Sequence, residues 1–271
     1  MEQRNLEVAV ISDIHLATHA CKAKSVLKYL KSIAPKILVL NGDIIDSWRF
    51  SRSYFPKSHL KLVRYMIKML ERGVKVYYVS GNHDEFLRKF NLSELGNLKI
   101  VNKLIINLNG QRTLITHGDI FDNIIHKARW LAKFGAASYG LLTVVNKAIN
   151  EPIRFLGFRD ITIHKSIKKR LLRGDRNLTR FESAAVSAAK RLDCSTVICG
   201  HTHTPKDKTE ITDTGTIRYI NCGDWVENLT SVEYCGSQWV LNHFIEPVDD
   251  TAIEELESMI PEGFMLNWQG A

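Results

Sequence analysis

The sequence has no long hydrophobic run, little glycine or proline, and few cysteines. A membrane-spanning helix needs about 20 consecutive apolar residues, whereas the uncharged stretch 134–146 has only 13. Glycine (16) and proline (6) are too scarce for a collagen-like or low-complexity chain. The five cysteines include no CxxC pair, and their odd number does not suit a disulfide framework. Because the N-terminus also lacks the pattern of a signal peptide, we expect a packed protein of the reducing cytoplasm.

Positive charge is abundant and unevenly distributed. The net charge is +8, yet residues 123–182 alone carry 13 Lys and Arg against four Asp and Glu. Within this segment Ile124, Ala128 and Leu131 fall on one helical face and Arg129 and Lys133 on another, which is typical of a basic amphipathic helix. Two interpretations remain open, a helical subdomain that packs on the core and a segment that lies on anionic lipid.

The first hundred residues alternate short β-branched runs with amphipathic stretches, which predicts strand–helix–strand units. The predicted helices are 22–33, 57–72 and 181–192, and the predicted strands are 6–12, 37–41, 74–80, 99–101, 104–108, 113–116, 196–199, 217–221, 230–234 and 239–244. Asn109 and Gly110 predict a hairpin turn between two of these strands. The fold class is therefore α/β, and its sites should lie at the carboxyl ends of the parallel strands.

Short polar motifs follow the predicted strands, in the order DxH, GDxxD, GNHD, HGD and GHxH. Each motif alone is weak, but five in this order are difficult to explain as structural residues. Their side chains that suit metals or proton transfer are Asp13, His15, Asp43, Asn82, His83, Asp84, His117, His201 and His203.

Carboxylate, imidazole and amide ligands together suit two divalent metals, and one carboxylate can bridge them. We expect Asp13 and His15 to point the same way from an extended segment, since one residue separates them. Two metals can activate water and orient a phosphoryl group. His83 would then stabilise charge or protonate the leaving group, and Asp84 would either orient His83 or serve a structural role.

These motifs resemble those of the calcineurin-like metallophosphoesterase superfamily over residues 8–224. The resemblance implies a four-layer αββα sandwich. It also implies the ligands of two metals: Asp13, His15, Asp43 and His203 for one, and Asp43, Asn82, His117 and His201 for the other. Asp43 would bridge the metals, and His83 would be the catalytic residue outside their ligand shell.

Within the superfamily, the segments 42–48, 117–122 and 221–227 resemble the UDP-2,3-diacylglucosamine pyrophosphohydrolases of lipid A synthesis. This resemblance implies cleavage of a pyrophosphate that releases UMP and 2,3-diacylglucosamine 1-phosphate. The two metal ions are usually manganese, and iron or zinc are the alternatives. It also implies a core of residues 1–122 and 181–271 with a helical cap, 123–180, that covers the acyl chains at the inner face of the cytoplasmic membrane. The cap's basic residues Lys165, Lys168, Lys169 and Arg173 are candidates for substrate binding.

One residue departs from that narrower pattern, since well-known lipid A members have arginine where this chain has His83. Another nucleotide-linked or lipid pyrophosphate, or a phosphodiester, is therefore an alternative substrate. A metal-dependent nuclease would explain the metals and the charge, but nucleic acid binding does not require so aliphatic a segment. A catalytically silent scaffold would explain the fold alone, and the presence of His83 disfavours it.

Overall fold

The alternating segments of the N-terminal third form parallel strands connected by helices. The computed structural model describes residues 3–48, 54–122, 179–213 and 215–246. The first unit consists of β1 (Arg4–Ile11), α1 (Ala23–Ser32), β2 (Ile33–Asn41), α2 (Lys57–Glu71) and β3 (Lys75–Val79). Both helices bury their apolar residues, such as Val26, Leu30 and Leu62, against the sheet.

The chain then turns through short elements into a second sheet. A 3₁₀ helix (Glu85–Phe90) and the two-residue strand β4 (Glu94–Leu95) precede β5 (Leu98–Val101). β6 (Leu104–Leu108) and β7 (Gln111–Ile115) form an antiparallel hairpin. Its turn residues Asn109 and Gly110 both have positive φ, as a tight two-residue hairpin turn requires, so the predicted turn is confirmed.

The described C-terminal residues form one helix and five strands, and the strands are divided between the two sheets. α3 (Arg180–Arg191) begins with a capping box in which Thr179 and Glu182 exchange hydrogen bonds. The strands that follow are β8 (Thr196–Cys199), β9 (Lys206–Thr212), β10 (Gly215–Asn221), β11 (Thr230–Cys235) and β12 (Gln238–His243).

Two sheets lie face to face between helices. The seven-stranded sheet has the order β12-β11-β1-β2-β3-β5-β4, and the five-stranded sheet has the order β6-β7-β8-β10-β9. Val8, Val10 and Val39 of the first sheet pack against residues such as Ile115 and Ile198 of the second. The outer face of the first sheet is covered by α1 and α2, and that of the second by α3. The αββα arrangement expected from the resemblance is thus confirmed.

Every strand and helix predicted within the described residues is present, with ends that differ by a few residues at most. The largest difference is at β2, which begins at Ile33 instead of Ile37. Proline disfavours strands, so Pro35 argued for a later start, but in the structure Pro35 pairs with Leu6 of β1. The pattern missed the 3₁₀ helix, β4 and β9. β9 is an edge strand whose charged sequence, KDKTEIT, is mostly accessible to solvent, so it lacks the apolar signal of a buried strand. The predicted cap, except for its last two residues, and the chain beyond 246 lie outside the described residues, and the division into core and cap stays a prediction.

Candidate metal centre

The polar motifs converge at the carboxyl ends of strands from both sheets. β1, β2 and β3 of the first sheet lead directly into the loops with Asp13 and His15, with Asp43, and with Asn82 and His83. In the second sheet, β7 leads to His117, and β8 leads to His201 and His203. Three groups place one ligand atom per residue within 4.8 Å of one another: Asp13, His15 and His203; Asp43, His117 and His201; and His15, Asp43 and His83.

The first group is closely packed around the carboxylate of Asp13. Nε2 of His203 lies 3.2 Å from Asp13 Oδ1 and 3.3 Å from Nε2 of His15. Asp13 Oδ1 is buried and accepts no hydrogen bond from the described residues. The other oxygen, Oδ2, accepts hydrogen bonds from the hydroxyl of Ser12 and the backbone N–H of His201.

The second group centres on Asp43 and His117. Nε2 of His117 lies 3.2 Å from Asp43 Oδ2 and 3.3 Å from the amide oxygen of Asn82. Asp43 Oδ1 accepts a hydrogen bond from the backbone N–H of His83 at 2.8 Å, which leaves Oδ2 directed at the histidines. Asp43 and His15 each belong to two of the three groups, and of these two side chains the carboxylate is the one that can bridge two metals.

The backbone at these residues is left-handed, not extended. Asp13, His15, Asp43, His201 and His203 all have φ between +52° and +67°. The expectation that Asp13 and His15 project from an extended segment is therefore wrong. Their N–H groups instead donate to the carbonyls of Gly42 and Asp43, at 3.1 and 2.9 Å, and these bonds hold the turn. Non-glycine residues rarely adopt positive φ, and such strained residues tend to cluster at functional sites.

Two glycines let backbone and ligand approach closely. A Cβ atom at Gly42 would lie 2.4 Å from the imidazole of His117, and φ at Gly42 is +79°. A Cβ atom at Gly200 would lie 2.0 Å from the Ser12 hydroxyl and 2.5 Å from Asp13 Oδ2. Only glycine fits at these positions, which explains why the ligands follow glycine in GD and GHxH.

Each histidine that is a candidate metal ligand has a second partner that orients its ring. His15 Nδ1 lies 3.3 Å from Asp46, and His203 Nδ1 lies 3.5 Å from Asp224. His117 Nδ1 donates to the carbonyl of Asn41 at 2.9 Å. His201 differs, since its Nε2 donates to Asp122 at 2.9 Å and leaves Nδ1 for the centre. Such outer partners set the tautomer and orientation of metal ligands.

The sequence analysis gave no role to Asp46, Asp122, Asp224 or Asn41. All four lie within or beside the motifs and the segments 42–48, 117–122 and 221–227, and this proximity was the available signal. Their contacts to histidines depend on the folded loops, so spacing could not assign them. Asp46 also lies 3.0 Å from Nδ1 of His83, and it therefore adjoins two rings with one carboxylate oxygen.

Asp84 connects two of the loops that carry candidate ligands. It is completely buried, and its carboxylate accepts hydrogen bonds from the N–H groups of Ile44 and Gly81 and from the hydroxyl of Tyr78. These contacts connect the loop after β2 with the loop after β3. Of the two interpretations of Asp84, the geometry therefore supports the structural one. The carboxylate next to the His83 ring is that of Asp46.

An ion pair braces the same region across the two sheets. The guanidinium of Arg88, in the 3₁₀ helix, donates to Asp119 at 2.5 Å and to the carbonyl of Gly81 at 3.3 Å. Gly81 precedes Asn82 in the first sheet's loop, and Asp119 follows His117 in the second sheet's loop. The pair thus ties together the loops that carry two candidate ligands of one metal.

The charges of the centre shift several pKa values. Burial alone would lower the pKa of His117, but the negative charges of Asp13 and Asp43 outweigh it and raise the pKa to about 10. The carboxylates of Asp13, next to Nε2, and of Asp224, next to Nδ1, raise the pKa of His203 to about 10. Burial opposes ionisation of Asp43, yet its hydrogen bond with His117 holds the carboxyl pKa well below its usual value. The carboxylates therefore create a strongly negative site that attracts cations.

This donor set fits divalent metal ions. Carboxylate and amide oxygens with imidazole nitrogens are ligands of borderline-hard cations. Nε2 of His15 and Nε2 of His203 lie 3.3 Å apart, next to the buried Asp13 Oδ1, which accepts no hydrogen bond from the described residues. A cation bound there would be coordinated by all three atoms. The fold and this donor set therefore fit a metal-dependent enzyme.

Comparison with known proteins identifies the family. The profile of the calcineurin-like phosphoesterase family matches residues 6–205, so the chain belongs to this family and is a phosphoester hydrolase that uses divalent metal ions. It is 25% identical over 250 residues to a UDP-2,3-diacylglucosamine hydrolase of Vibrio cholerae, covering 86% of this chain and 96% of the relative. It is 29% identical over 213 residues to that of Aliivibrio fischeri, covering 74% and 81%.

Among solved structures, the phosphoesterase Yfce from E. coli is similar with a TM-score of 0.43 and 18% identity, covering 84% of this chain and 88% of that one. In the part of the chain that the structure describes, none of the helices is long and apolar enough to span a membrane. Lys165, Lys168, Lys169 and Arg173 lie outside the described residues.

Proposed function

We propose that this protein hydrolyses the pyrophosphate bond of UDP-2,3-diacylglucosamine, releasing UMP and 2,3-diacylglucosamine 1-phosphate. The observation that carries the proposal is that carboxylates and histidines converge around Asp13 and around Asp43, which is the kind of donor set that a two-metal phosphoesterase needs. The substrate is proposed because relatives of that name match this chain over most of both lengths.

The ligand assignment is part of the same proposal. One metal, most simply manganese, would be held by Asp13, His15, Asp43 and His203, and a second by Asp43, Asn82, His117 and His201. When bound, two such ions supply Lewis acidity at the phosphoryl oxygens and lower the pKa of water. Asp43 joins the two ligand sets, and Asp46, Asp224, Asp122 and the Asn41 carbonyl keep the histidine rings oriented.

In this proposal His83 transfers a proton to the leaving group. Its Nδ1 lies 3.0 Å from Asp46, and its Nε2 lies 4.0 Å from Asp43 Oδ2, on the side of the metal ligands. The Asp46 carboxylate lies beside Nδ1 and would orient the ring, so that Nε2 is the nitrogen that transfers the proton. His83 would give this proton to the oxygen of the departing phosphate.

A second substrate class is favoured by His83 itself. The well-known lipid A members have arginine at this position, so another nucleotide-linked or lipid pyrophosphate, or a phosphodiester, is the alternative. The basic and aliphatic cap, 123–180, supports a lipid substrate and a place at the inner face of the cytoplasmic membrane, because its charge suits anionic headgroups and its apolar residues suit acyl chains.

The decisive experiment measures UMP release from UDP-2,3-diacylglucosamine by the Mn²⁺-loaded protein, with bis(p-nitrophenyl) phosphate as a general substrate. His83→Ala should lower kcat by roughly 10²–10⁴-fold and keep both metals. His243→Ala, at the exposed end of β12, is the matched control and should retain full activity.

The results separate the parts of the proposal. Hydrolysis of the aryl diester without UMP release would reject the acylated UDP-sugar and favour the alternative substrates. Loss of metal from His83→Ala would make His83 a ligand instead of a proton donor. Replacement of 123–180 by a short Gly/Ser linker should abolish lipid hydrolysis and spare the aryl diester; persistent lipid hydrolysis would reject the cap's role.

A further inference from the structure

Trp48 is a large aromatic residue that is exposed beside the metal centre. Its side chain stacks on the ring of His83, with centroids 4.2 Å apart and planes inclined by 35°. Despite this contact, 60% of the residue remains accessible to solvent. One face of the indole therefore covers His83, and the remainder is open.

The backbone fixes this exposed residue in place. The N–H of Trp48 donates to Asp46 Oδ1 at 3.1 Å. The preceding residue, Ser47, donates from its N–H to the carbonyl of His83 at 3.0 Å, and its hydroxyl donates to the same carbonyl. Residues 46–48 thus wrap around His83, so the indole is held beside the ring that it covers. An aromatic surface that is anchored yet left in water is typical of a binding site, since ordering it costs nothing further when a ligand arrives.

The position of Trp48 relative to His83 indicates which part of a substrate it meets. His83 faces the metal ligands through Nε2, where it would protonate the departing oxygen. The indole lies against the ring of His83, so it is next to whatever is attached to that oxygen. A ring in the leaving group can stack on an aromatic face, whereas a small acyclic group cannot.

We propose that Trp48 is the specificity-determining residue of a subsite that stacks a ring of the leaving group, such as the sugar of a hexosamine 1-phosphate. This inference rests on the proposed function for the direction of cleavage. It also gives a reason why the substrate would be a sugar-linked pyrophosphate, because a leaving phosphate that carries a ring is bound better than one that does not.

The test compares two phosphate monoesters that differ in the ring. The dissociation constants of glucosamine 1-phosphate and methyl phosphate are measured by calorimetry on the Mn²⁺-loaded full-length protein, as wild type, Trp48→Phe and Trp48→Leu. Trp48→Leu should weaken binding of glucosamine 1-phosphate about tenfold and change binding of methyl phosphate less than twofold, with Trp48→Phe in between. Phe90→Ala removes another exposed aromatic side chain and should change neither constant.

Two outcomes would overturn the subsite. Equal weakening of both ligands by Trp48→Leu would show that Trp48 only supports His83 or the metals, and unchanged binding of both would show that the ring does not touch it. Because calorimetry needs no turnover, these outcomes remain distinct from a failure of the proposed function, which appears as absent UMP release by the wild type.

Discussion

The site owes its geometry to side chains whose roles appear only after folding. The convergence of the candidate ligands was predictable because each follows a strand in a short motif, and strand ends meet at one edge; these residues are Asp13, His15, Asp43, Asn82, His117, His201 and His203. Asp46, Asp122 and Asp224 were not assigned, since a carboxylate that orients a histidine leaves no signature beyond being nearby in sequence. The left-handed backbone of five candidate ligands was likewise unpredicted, because aspartate and histidine adopt positive φ more often than most residues but still do so in only a minority of cases.

Asp46 gives a direct test of these outer contacts. Asp46→Asn keeps the shape of the side chain and removes the charge that faces Nδ1 of both His15 and His83. We expect kcat on bis(p-nitrophenyl) phosphate to fall about 10–100-fold, as for other residues that orient metal ligands. Asp207→Asn, in a surface pair with Arg218, is the control and should retain wild-type activity. An unchanged kcat at saturating Mn²⁺ would show that Asp46 does not orient either ring.

The strand ends and their turns show which local patterns determine structure. Buried strands such as β1 and β8 were predicted because their apolar runs are continuous, whereas β9 was missed because a solvent-accessible edge strand has no such run. Gly42 precedes Asp43 in the GDxxD motif, where glycine allows a tight turn. The structure adds that His117 fills the space where a side chain at Gly42 would be.

Gly42→Ala should therefore destabilise the protein more than positive φ alone explains. The new methyl group would lie 2.4 Å from the His117 imidazole, which is fully buried and cannot move easily. We expect a loss of about 2–4 kcal/mol in the free energy of unfolding. Gly73→Ala is the matched control, with φ of +87° and no atom within 4 Å, and should cost roughly 1–2 kcal/mol. Urea unfolding of both variants measures the difference; equal losses would contradict the steric argument.

The Arg88–Asp119 pair links the loops that carry Asn82 and His117, which lie on different sheets. Arg88→Met keeps the length of the side chain and removes the brace. We expect affinity for one of the two metals to fall about tenfold, with the other site unaffected, because Asn82 and His117 belong to one ligand set. Calorimetric Mn²⁺ titration resolves the two sites. Arg218→Met breaks a comparable ion pair, between β10 and β9, and should bind both metals normally because neither Arg218 nor Asp207 contacts a candidate ligand in the ion pairs described. A uniform loss at both sites would reject the brace.

The metal centre also connects the two layers of β-sheet. Asp13, Asp43 and Asn82 come from the loops of the first sheet, and His117, His201 and His203 from those of the second. Ions held by both sets would resist separation of the sheets. Since the metal-bound form exists only when the sheets are packed together, metal binding should stabilise the entire fold by mass action.

The stabilisation that metal binding gives to the fold should increase with pH. In the metal-free protein His117 and His203 have pKa values raised from 6.5 to about 10. Their protonated forms thus stabilise the folded state fully below about pH 6.5, and this contribution declines as the pH rises toward 10. Mn²⁺ at 100 times its dissociation constant adds about 2.7 kcal/mol, and it replaces the lost protons as the partner of Asp13 and Asp43. The Tm can be measured by calorimetry at pH 6.5 and 8.5, with chelator or with Mn²⁺. From pH 6.5 to 8.5 the Tm of the metal-free protein should fall, and that of the metal-loaded protein should not. His117→Gln should reduce the metal-free decline, and a metal-free Tm that stays constant or rises over this range would contradict the assignment.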